Sequence, residues 1–415
     1  MKRAVERSMK LGPVPEAPRA MTVAGVMSGT SADGVDVAIC RVRPGRGEGA
    51  TPTLKVLAHR GFAYPKKMRE AVLAAAGAQQ ANSSSVPELA RLSWRLGSFY
   101  AECVEKTAAD AELKIDLVSM HGQTIYHQAT AEKYLGEQVR CTWQIGEPSL
   151  VSERLGVPVV SDLRPADMAA GGQAAPLVPM FDYCMLRHAT KNRVLLNLGG
   201  IANLTAVPAG GSLADVLAFD TGPASMLIDQ FMQTLFCKPY DRNGGVAARG
   251  RILGDVVDQL AKQPFFLAAP PKSFGREEFG AVFAQQLLSR CKERGASPDD
   301  MIATATALTV RTVVDAYARY CWPHLGQLAP LAKATELIVA GGGTRNRTLM
   351  KQLSSQLDTL GVSVRTLDEF GIASEAKEAA AFALLGWLSW HGLPGNVPGA
   401  TGAGKSVILG RLTLC

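Results

Sequence analysis

The chain has 415 residues, of which 47% are hydrophobic and 20% are charged, and this composition excludes a disordered or fibrous protein. The length exceeds what one hydrophobic core usually supports, so two domains are expected. The formal net charge is +7, a modest excess with no basic face that carries interleaved aromatic residues. It favours an anionic small-molecule ligand over a nucleic acid.

The N-terminal residues show no secretory signal pattern, and the cysteines show no metal-binding pattern. Residues 1–20 are basic and are interrupted by prolines, so we expect a disordered tail rather than a secretory signal. No apolar stretch reaches membrane-spanning length, and we expect a cytoplasmic protein without membrane association. The eight cysteines form no Cys-x-x-Cys pair, which favours reduced structural thiols over a zinc site.

The first two strands are predicted within residues 23–39, around a turn crowded with small, hydroxyl and acidic residues. Backbone N–H groups of such a turn can approach a phosphate with little steric hindrance. The residues named for this contact are Gly29, Thr30 and Ser31. Asp33 and Asp36 would then lie where a phosphate-bound Mg²⁺ needs oxygen ligands or bridging waters. An ordinary Gly/Asp hairpin is the alternative.

Further along, residues 55–61 are predicted as a strand, 86–108 as an amphipathic helix and 114–120 as a buried strand. That strand is predicted to end in the polar cluster His121-Gly122-Gln123-Thr124, at the sheet edge where ligands of open α/β sheets bind. The alternative for His121 is a turn histidine bonded to backbone. A short strand at 157–160 opens residues 161–176, which we interpret as the crossing between the domains.

The second half repeats the pattern of a β-rich run followed by a glycine-rich turn. Strands at 193–196, 217–219 and 336–340 lead into Asn197-Leu198-Gly199-Gly200, Asp220-Thr221-Gly222-Pro223 and Gly341-Gly342-Gly343-Thr344-Arg345-Asn346. Helices are predicted over 224–236, 278–291, 301–321 and 375–390. The alternation of strand and helix predicts an α/β fold, and several such turns imply a ligand held between two halves.

Residues 399–406, Gly-Ala-Thr-Gly-Ala-Gly-Lys-Ser, satisfy the P-loop pattern letter for letter. A working P-loop needs a preceding strand and a following helix within a larger parallel sheet. The two prolines upstream and the short remainder downstream argue against both. We interpret the match as accidental.

Taken together, the motifs resemble those of the anhydro-N-acetylmuramic acid kinase family. The matching segments are VMSGTSADGVD, HGQTIYH, QIGEPSLVSERLGVPVVSDLRPADMAAGGQAAPLVP, NLGGIANLT, FDTGPASMLID, KPYDRNGG, GGGTRNRTLM, EAAAFALLGW and LPGNVPGATGA. They follow the family order from about Val23 to Gly410.

The resemblance implies a two-domain α/β fold of the sugar kinase, Hsp70 and actin type, with a mixed sheet in each domain and ATP in the interdomain cleft. It implies a first domain over 21–160, completed by 380–415, and a second over 161–379. The implied reaction opens the anhydro ring of 1,6-anhydro-N-acetylmuramic acid with water and phosphorylates O6, using ATP and Mg²⁺. The partner is this small-molecule substrate; a homodimer is left open.

The resemblance also implies residue roles. Asp167 matches the base that deprotonates the attacking water, a usual task for a carboxylate at an anomeric carbon. The β and γ phosphates would be cradled by Gly29, Thr30, Ser31, Ala32, Asp33, Gly34, Val35 and Asp36, with Asp33 or Asp36 nearest the metal. The opposing phosphate turns would be Asn197, Gly199, Gly200, Asp220, Thr221 and Gly222. Gly341, Gly342, Gly343 and Asn346 would line the nucleoside pocket, and His121, Gln123, Thr124 and Glu378 would hold the sugar.

Two positions depart from the family pattern, because Ala174 and Ala224 stand where typical members have glycine. An added Cβ is costly where a site needs a positive φ or a close approach. An impaired relative is therefore one alternative. The others are a different small-molecule kinase of the same superfamily, and a nucleotide-switched binding protein.

Overall fold

Two β-sheets organise the molecule, for which we obtained a computed structural model that describes residues 17–29, 32–47, 50–77, 84–272 and 279–414. The strands are β1 (Met21–Ser28), β2 (Gly34–Arg43), β3 (Thr53–Ala63), β4 (Leu117–Tyr134), β5 (Glu137–Ile145), β6 (Val159–Ser161), β7 (Lys191–Leu198), β8 (Ile201–Val207), β9 (Leu217–Pro223), β10 (Ala334–Ala340), β11 (Val362–Thr366) and β12 (Arg411–Thr413).

Both sheets are mixed. The first has the order β12-β6-β4-β1-β2-β3, with β5 paired to β4; β1 runs parallel to β4 and antiparallel to β2. The second has the order β11-β10-β7-β8-β9, with β10 parallel to both β11 and β7, and with β7, β8 and β9 joined as antiparallel neighbours. The expected α/β fold with two mixed sheets is confirmed.

Helices cover the faces of both sheets. They are α1 (Lys66–Ala75), α2 (Val86–Asp110), α3 (Pro148–Leu155), α4 (Pro165–Ala169), α5 (Pro179–Leu186), α6 (Ser225–Phe236), α7 (Gly254–Leu260), α8 (Pro264–Leu267), α9 (Ala281–Glu293), α10 (Pro298–Ala316), α11 (Trp322–Leu328), α12 (Arg347–Asp358), α13 (Lys377–Trp390) and α14 (Pro398–Thr401). A π-helical turn over Tyr317–Cys321 joins α10 to α11. No helix in these ranges is long and apolar enough to cross a membrane.

The hydrophobic core has three layers because strand side chains alternate between faces. Val23 of β1 enters a central core that also contains Leu195 of β7 and Ile338 of β10, so this core joins the two sheets. Helix α13 fills it and packs directly on β1, where a Cβ on Gly25 would lie 1.9 Å from the Ala379 carbonyl oxygen. The outer faces pack against α2 on the first sheet and against α6 and α10 on the second.

Two local predictions are wrong. The segment His121–Thr124 lies inside β4 rather than at its end, because the strand runs on to Tyr134 and forms a long hairpin with β5. The segment Asp220–Pro223 belongs to β9 rather than to a turn after it, since its backbone pairs with β8. The strand and helix predictions elsewhere match elements of the structure within a few residues. Of the predicted tail, residues 1–16 lie outside the described ranges.

Candidate active site

The side chain of Asp167, on α4, lies at the centre of the candidate site and is fully buried. Its Oδ1 accepts hydrogen bonds from the Asn396 amide and the Thr401 hydroxyl, both at 2.7 Å. Its Oδ2 accepts one from the backbone N–H of Ala174 at 2.8 Å. Hydrogen bonds to a carboxylate are among the stronger ones in proteins. The three donors therefore fix the orientation of the carboxylate from two distant segments, residues 171–174 and 396–404.

The loop after α4 is strained at the first departure from the family pattern. Ala174 has a φ of 59°, in the left-handed region that costs a residue with a Cβ about 1–2 kcal/mol. Its carbonyl accepts a hydrogen bond from Arg164 Nη1 at 2.5 Å, so both of its peptide groups are held. At Gly172 a Cβ would lie 2.2 Å from Asp167 Oδ2. The second departure, Ala224, has a φ of −117° and carries no such cost.

Arg164 links this loop to His121. Arg164 Nε donates to His121 Nε2 at 2.8 Å, which places the imidazole proton on Nδ1, facing the Ser28 carbonyl oxygen at 3.3 Å. Burial, with the Arg164 charge in second place, lowers the pKa of His121 to about 3. His121 is therefore neutral at physiological pH and positions Arg164 rather than transferring a proton.

Two carboxylates act electrostatically on Arg164. Burial lowers its pKa to about 10, while the charges of Glu378 and Asp167 act to raise it, so the guanidinium remains charged at neutral pH. Burial raises the pKa of Glu378, and the negative charge of Asp36 acts in the same direction. Glu378 of α13 therefore lies within electrostatic range of Asp36 of β2 and of Arg164. The role of Glu378 in holding the sugar stays a prediction.

Gln123 ties the first glycine-rich turn to the sheet. Its Nε2 donates to the Gly29 carbonyl oxygen at 3.2 Å, and its Oε1 accepts from the hydroxyls of Ser28 and Tyr64. The side chain is buried, so these contacts give it a part in holding the turn. The sugar contact predicted for Gln123 and for its neighbour Thr124, whose hydroxyl accepts from Gln144 at 3.2 Å, is untested.

The residues predicted to cradle the phosphates, 29–36, lie partly in the connection after β1 and partly in β2. Thr30 and Ser31 lie outside the described residues. Ala32 is buried with a φ of 54°, and Gly34 and Val35 begin β2. A Cβ on Gly34 would lie 2.0 Å from the Phe62 carbonyl oxygen of β3. This glycine therefore serves the close approach of two strands.

Each of the two candidate metal ligands, Asp33 and Asp36, has a nitrogen atom of a nearby side chain as a partner. Asp36 Oδ1 lies 3.1 Å from His59 Nε2, and Asp33 Oδ1 lies 3.3 Å from Arg69 Nη2. Within the described ranges, no group of three or more His, Cys, Asp or Glu residues could hold a metal ion. Mg²⁺ bound to a nucleotide usually takes only one or two carboxylates and otherwise waters and phosphate oxygens. The partly exposed carboxylates of Asp33 and Asp36 fit that demand.

Several of the residues predicted to form the opposing phosphate turns lie near the β7–β8 turn of the second sheet. Gly199 and Gly200 form the tight turn between β7 and β8, and their carbonyls accept from the first N–H groups of α6. Asn197, Asn203 and Asp220 are successive partners across β7, β8 and β9. Cross-strand partners point to the same face, so Asn197 and Asp220 lie on one side of the sheet near this turn.

Two more predicted residues have structural partners in β9, and a lysine stands nearby. Thr221 donates to the Ala202 carbonyl oxygen at 3.2 Å, and at Gly222, with a φ of 151°, a Cβ would lie 2.7 Å from a ring carbon of Phe266. The Lys272 carbonyl oxygen accepts from the Asp220 N–H at 3.0 Å. Burial lowers the pKa of the Lys272 side chain to about 8, against the charge of Asp220. Sequence analysis did not single out this lysine.

A cavity of about 370 Å³ lies between α6, α12 and the turn that follows β10. Its lining includes Gly342, Gly343 and Asn346, three of the residues predicted for the nucleoside. The fourth, Gly341, has a φ of 92° and packs against the Leu198 carbonyl, which shapes the turn. The cavity is also lined by residues that sequence analysis did not name: Ser225, Asp229, Tyr240, Asp241 and Arg242.

Asp229 is the most perturbed carboxyl of this cavity. Burial, with a smaller contribution from Asp241, raises its pKa to about 6. Asp241 itself accepts hydrogen bonds from the N–H groups of Val246 and Ala247. Both acids lie in motifs quoted for the resemblance, FDTGPASMLID and KPYDRNGG, so their position in those motifs was the available signal.

Asn396 and Thr401 were also missed as functional residues. They are 229 and 234 residues from Asp167 in sequence, and no local pattern pairs them with it. Thr401 lies within the P-loop match, where residues 391–397 form no strand and 402–410 no helix, all of them described. The strand and helix that a working P-loop needs are missing from these residues, in agreement with the interpretation of the match as accidental.

Known proteins resemble this chain along nearly its whole length. The family profile described as anhydro-N-acetylmuramic acid kinase matches residues 21–414. An anhydro-N-acetylmuramic acid kinase of Salinibacter ruber is 42% identical over 95% of this chain and 96% of its own. One of Bacillus cereus is 38% identical over 95% of this chain and 99% of its own. Among solved structures, an activator of 2-hydroxyisocaproyl-CoA dehydratase from Clostridium difficile covers 89% of this chain and 96% of its own, at 11% identity and a TM-score of 0.41.

Proposed function

The chain belongs to the anhydro-N-acetylmuramic acid kinase family, and from this membership and the site geometry we propose how its residues carry out the family's reaction. It is a kinase that opens the 1,6-anhydro ring of 1,6-anhydro-N-acetylmuramic acid and phosphorylates O6. The product is N-acetylmuramic acid 6-phosphate, an intermediate of peptidoglycan recycling.

Asp167 is the base in this proposal. A water molecule gives its proton to the carboxylate and bonds to the anomeric carbon, while the bond from that carbon to O6 breaks. O6 takes the γ-phosphoryl group of ATP, and ADP leaves. The observation that carries the proposal is the carboxylate of Asp167, fixed by Ala174, Asn396 and Thr401. A base held in one orientation contributes most when its acceptor atom faces the proton it removes.

The acceptor atom is Oδ2 of Asp167. It accepts one hydrogen bond among the described residues, against two at Oδ1, so it has the greater remaining capacity to accept a proton. Gly172 packs against this atom, since a Cβ there would lie 2.2 Å from it. Because Asp167 is fully buried, water and sugar reach Oδ2 only when the segments packed around it shift. The Arg164 cation would stabilise negative charge that develops on the sugar.

ATP is the phosphoryl donor, and we place its phosphates between residues 29–36 on one side and, on the other, the β7–β8 turn at 199–200 with residues 220–222 of β9. The nucleoside occupies the cavity lined by Gly343 and Asn346. A Mg²⁺ ion would be held by Asp33 or Asp36 and would supply charge neutralisation for the phosphates. A homodimer and a cytoplasmic location stay predictions.

The test uses the purified protein with ATP, Mg²⁺, the anhydro sugar and ¹⁸O-labelled water. We expect a sugar 6-phosphate that carries the label at the anomeric carbon, because only hydrolytic opening places a solvent oxygen there. Phosphorylation without label would indicate a kinase that uses an ordinary hydroxyl acceptor. ATP binding without any phosphorylated sugar would contradict the proposal.

A further inference from the structure

A pocket of about 470 Å³ lies in the first lobe, between the first turns of α2, the hairpin of β4 and β5, and the end of β6. Two tryptophans line it, Trp94 of α2 and Trp143 of β5, and their side chains are 57% and 50% exposed. Indole rings are usually well buried because of their large apolar area. Two half-exposed indoles at one concave site therefore indicate a ligand rather than chance exposure.

The polar groups of this tryptophan pocket restrict the charge of its ligand. Its ionisable lining residues are His121, Glu147, Asp162 and Arg411, and His121 is neutral. Arg411 lies on the rim and pairs with Asp162 at 3.3 Å, which leaves one net negative charge from Glu147. An anionic extension of the substrate, such as a peptide with free carboxylates, would be repelled. A neutral ligand rich in hydroxyl groups can donate to the carboxylates and lay its C–H face on an indole.

The pocket lies beside the proposed catalytic centre. His121 lines it and accepts the hydrogen bond from Arg164, and Arg164 holds the Ala174 carbonyl beside Asp167. Pro165, another lining residue, begins α4 two positions before Asp167. A ligand that fills the pocket would therefore lie next to a sugar that reacts at Asp167.

We propose that the tryptophan pocket is a subsite for a second, neutral pyranose ring joined by a glycosidic bond to the reacting anhydro sugar. The enzyme then accepts a disaccharide, in which the outer ring stacks on Trp94 and Trp143. This inference rests on the proposed function for the inner ring and adds a substrate class to it.

The test compares kcat/KM for the anhydro monosaccharide and for the same sugar carrying a neutral N-acetylhexosamine, in the wild type and in Trp94→Ala and Trp143→Ala. The wild type is expected to turn over both. We take the effect of a pair of aromatic rings, roughly 2- to 12-fold, as the scale for a sugar ring stacked on an indole, so each variant should lower kcat/KM for the disaccharide by about that factor. The monosaccharide should change by less than about 2-fold, since it does not reach the indoles.

Two controls separate stacking from general damage. Trp322→Ala removes an equally exposed indole of α11, 49% exposed and outside the pocket, and should change neither substrate. Trp94→Phe and Trp143→Phe keep an aromatic face and should recover part of the disaccharide activity. Equal losses for both substrates, or no loss in either alanine variant, would overturn the proposal, as would a wild type that turns over the monosaccharide alone.

A binding measurement distinguishes this proposal from the function on which it rests. An N-acetylhexosamine disaccharide without an anhydro bridge cannot react, and its binding should quench tryptophan fluorescence in the wild type but less in Trp94→Ala. If the disaccharide quenches the fluorescence but the anhydro monosaccharide is not turned over, the proposed function is refuted and the sugar subsite is supported. If the monosaccharide is turned over but the disaccharide causes no quenching, only the subsite proposal is refuted.

Discussion

Replacing Asp167 by asparagine tests the proposed base with the smallest change of shape. The amide keeps one oxygen and exchanges the other for an NH₂ group that cannot accept a hydrogen bond. Oδ1 receives two donors and Oδ2 only the Ala174 N–H. The amide should therefore keep its oxygen toward Asn396 and Thr401, and turn its NH₂ group toward Ala174, where two donors then meet.

The structure gives the size of both effects. One charge-assisted hydrogen bond is lost and the buried Ala174 N–H is left without an acceptor, which together should cost about 2–4 kcal/mol of unfolding free energy. Loss of a general base lowers kcat by about 10²- to 10⁴-fold. The first effect is measured as a lower Tm and the second as turnover at a temperature where the variant is still folded.

The assay is kcat for the anhydro sugar at 25 °C, with Tm and ATP binding measured on the same preparation. Thr401→Val is the matched control, because it removes one donor to Oδ1 and leaves the carboxylate in place; it should lower Tm with a kcat within about tenfold of wild type. A kcat for Asp167→Asn within about threefold of wild type would refute the role as base. Equal kcat losses in the two variants would assign Asp167 a structural role.

Three further substitutions test the surroundings. Gly172→Ala places a Cβ 2.2 Å from Asp167 Oδ2, so kcat should fall at least about tenfold with KM for ATP unchanged; a normal kcat would show that the carboxylate has room. Ala174→Gly removes the cost of a left-handed backbone conformation at this residue, although glycine also makes the unfolded chain more flexible. The unfolding free energy measured in urea should therefore rise by up to about 1 kcal/mol; a fall would show that Ala174 is not strained. For Asp229, a pKa raised to about 6 means that the folded state binds more protons than the unfolded state at mildly acid pH. The contribution of Asp229 to the unfolding free energy should therefore fall as pH rises from about 4 to 6. Asp229→Asn should then be more stable than the wild type by about 1 kcal/mol at pH 7.5 but not at pH 4; a difference that stays constant with pH would contradict the shift.

Local patterns identified about half of the strands and helices, and the family motif identified Asp167, because both depend on residues close together in sequence. The β7 run followed by Gly199 and Gly200 has the periodicity and the glycines of a strand and a tight turn, and the structure has both. The segment His121–Thr124 was misplaced because the polar, half-exposed hairpin of β4 and β5 lacks the hydrophobic run that marks a buried strand.

The sequence by itself determined the family, the α/β class and the glycine turns, since these are carried by short motifs and by local hydrophobic periodicity. Only the tertiary structure decided what surrounds Asp167, because its donors Asn396 and Thr401 reach it from the far end of the chain. Residues 399–406 match the P-loop pattern, but in the folded chain their Thr401 donates a hydrogen bond to the Asp167 carboxylate. It also brought Trp94 and Trp143, from a helix and a strand, to one pocket. Contacts between distant segments depend on how the layers pack, and no spacing along the chain encodes them.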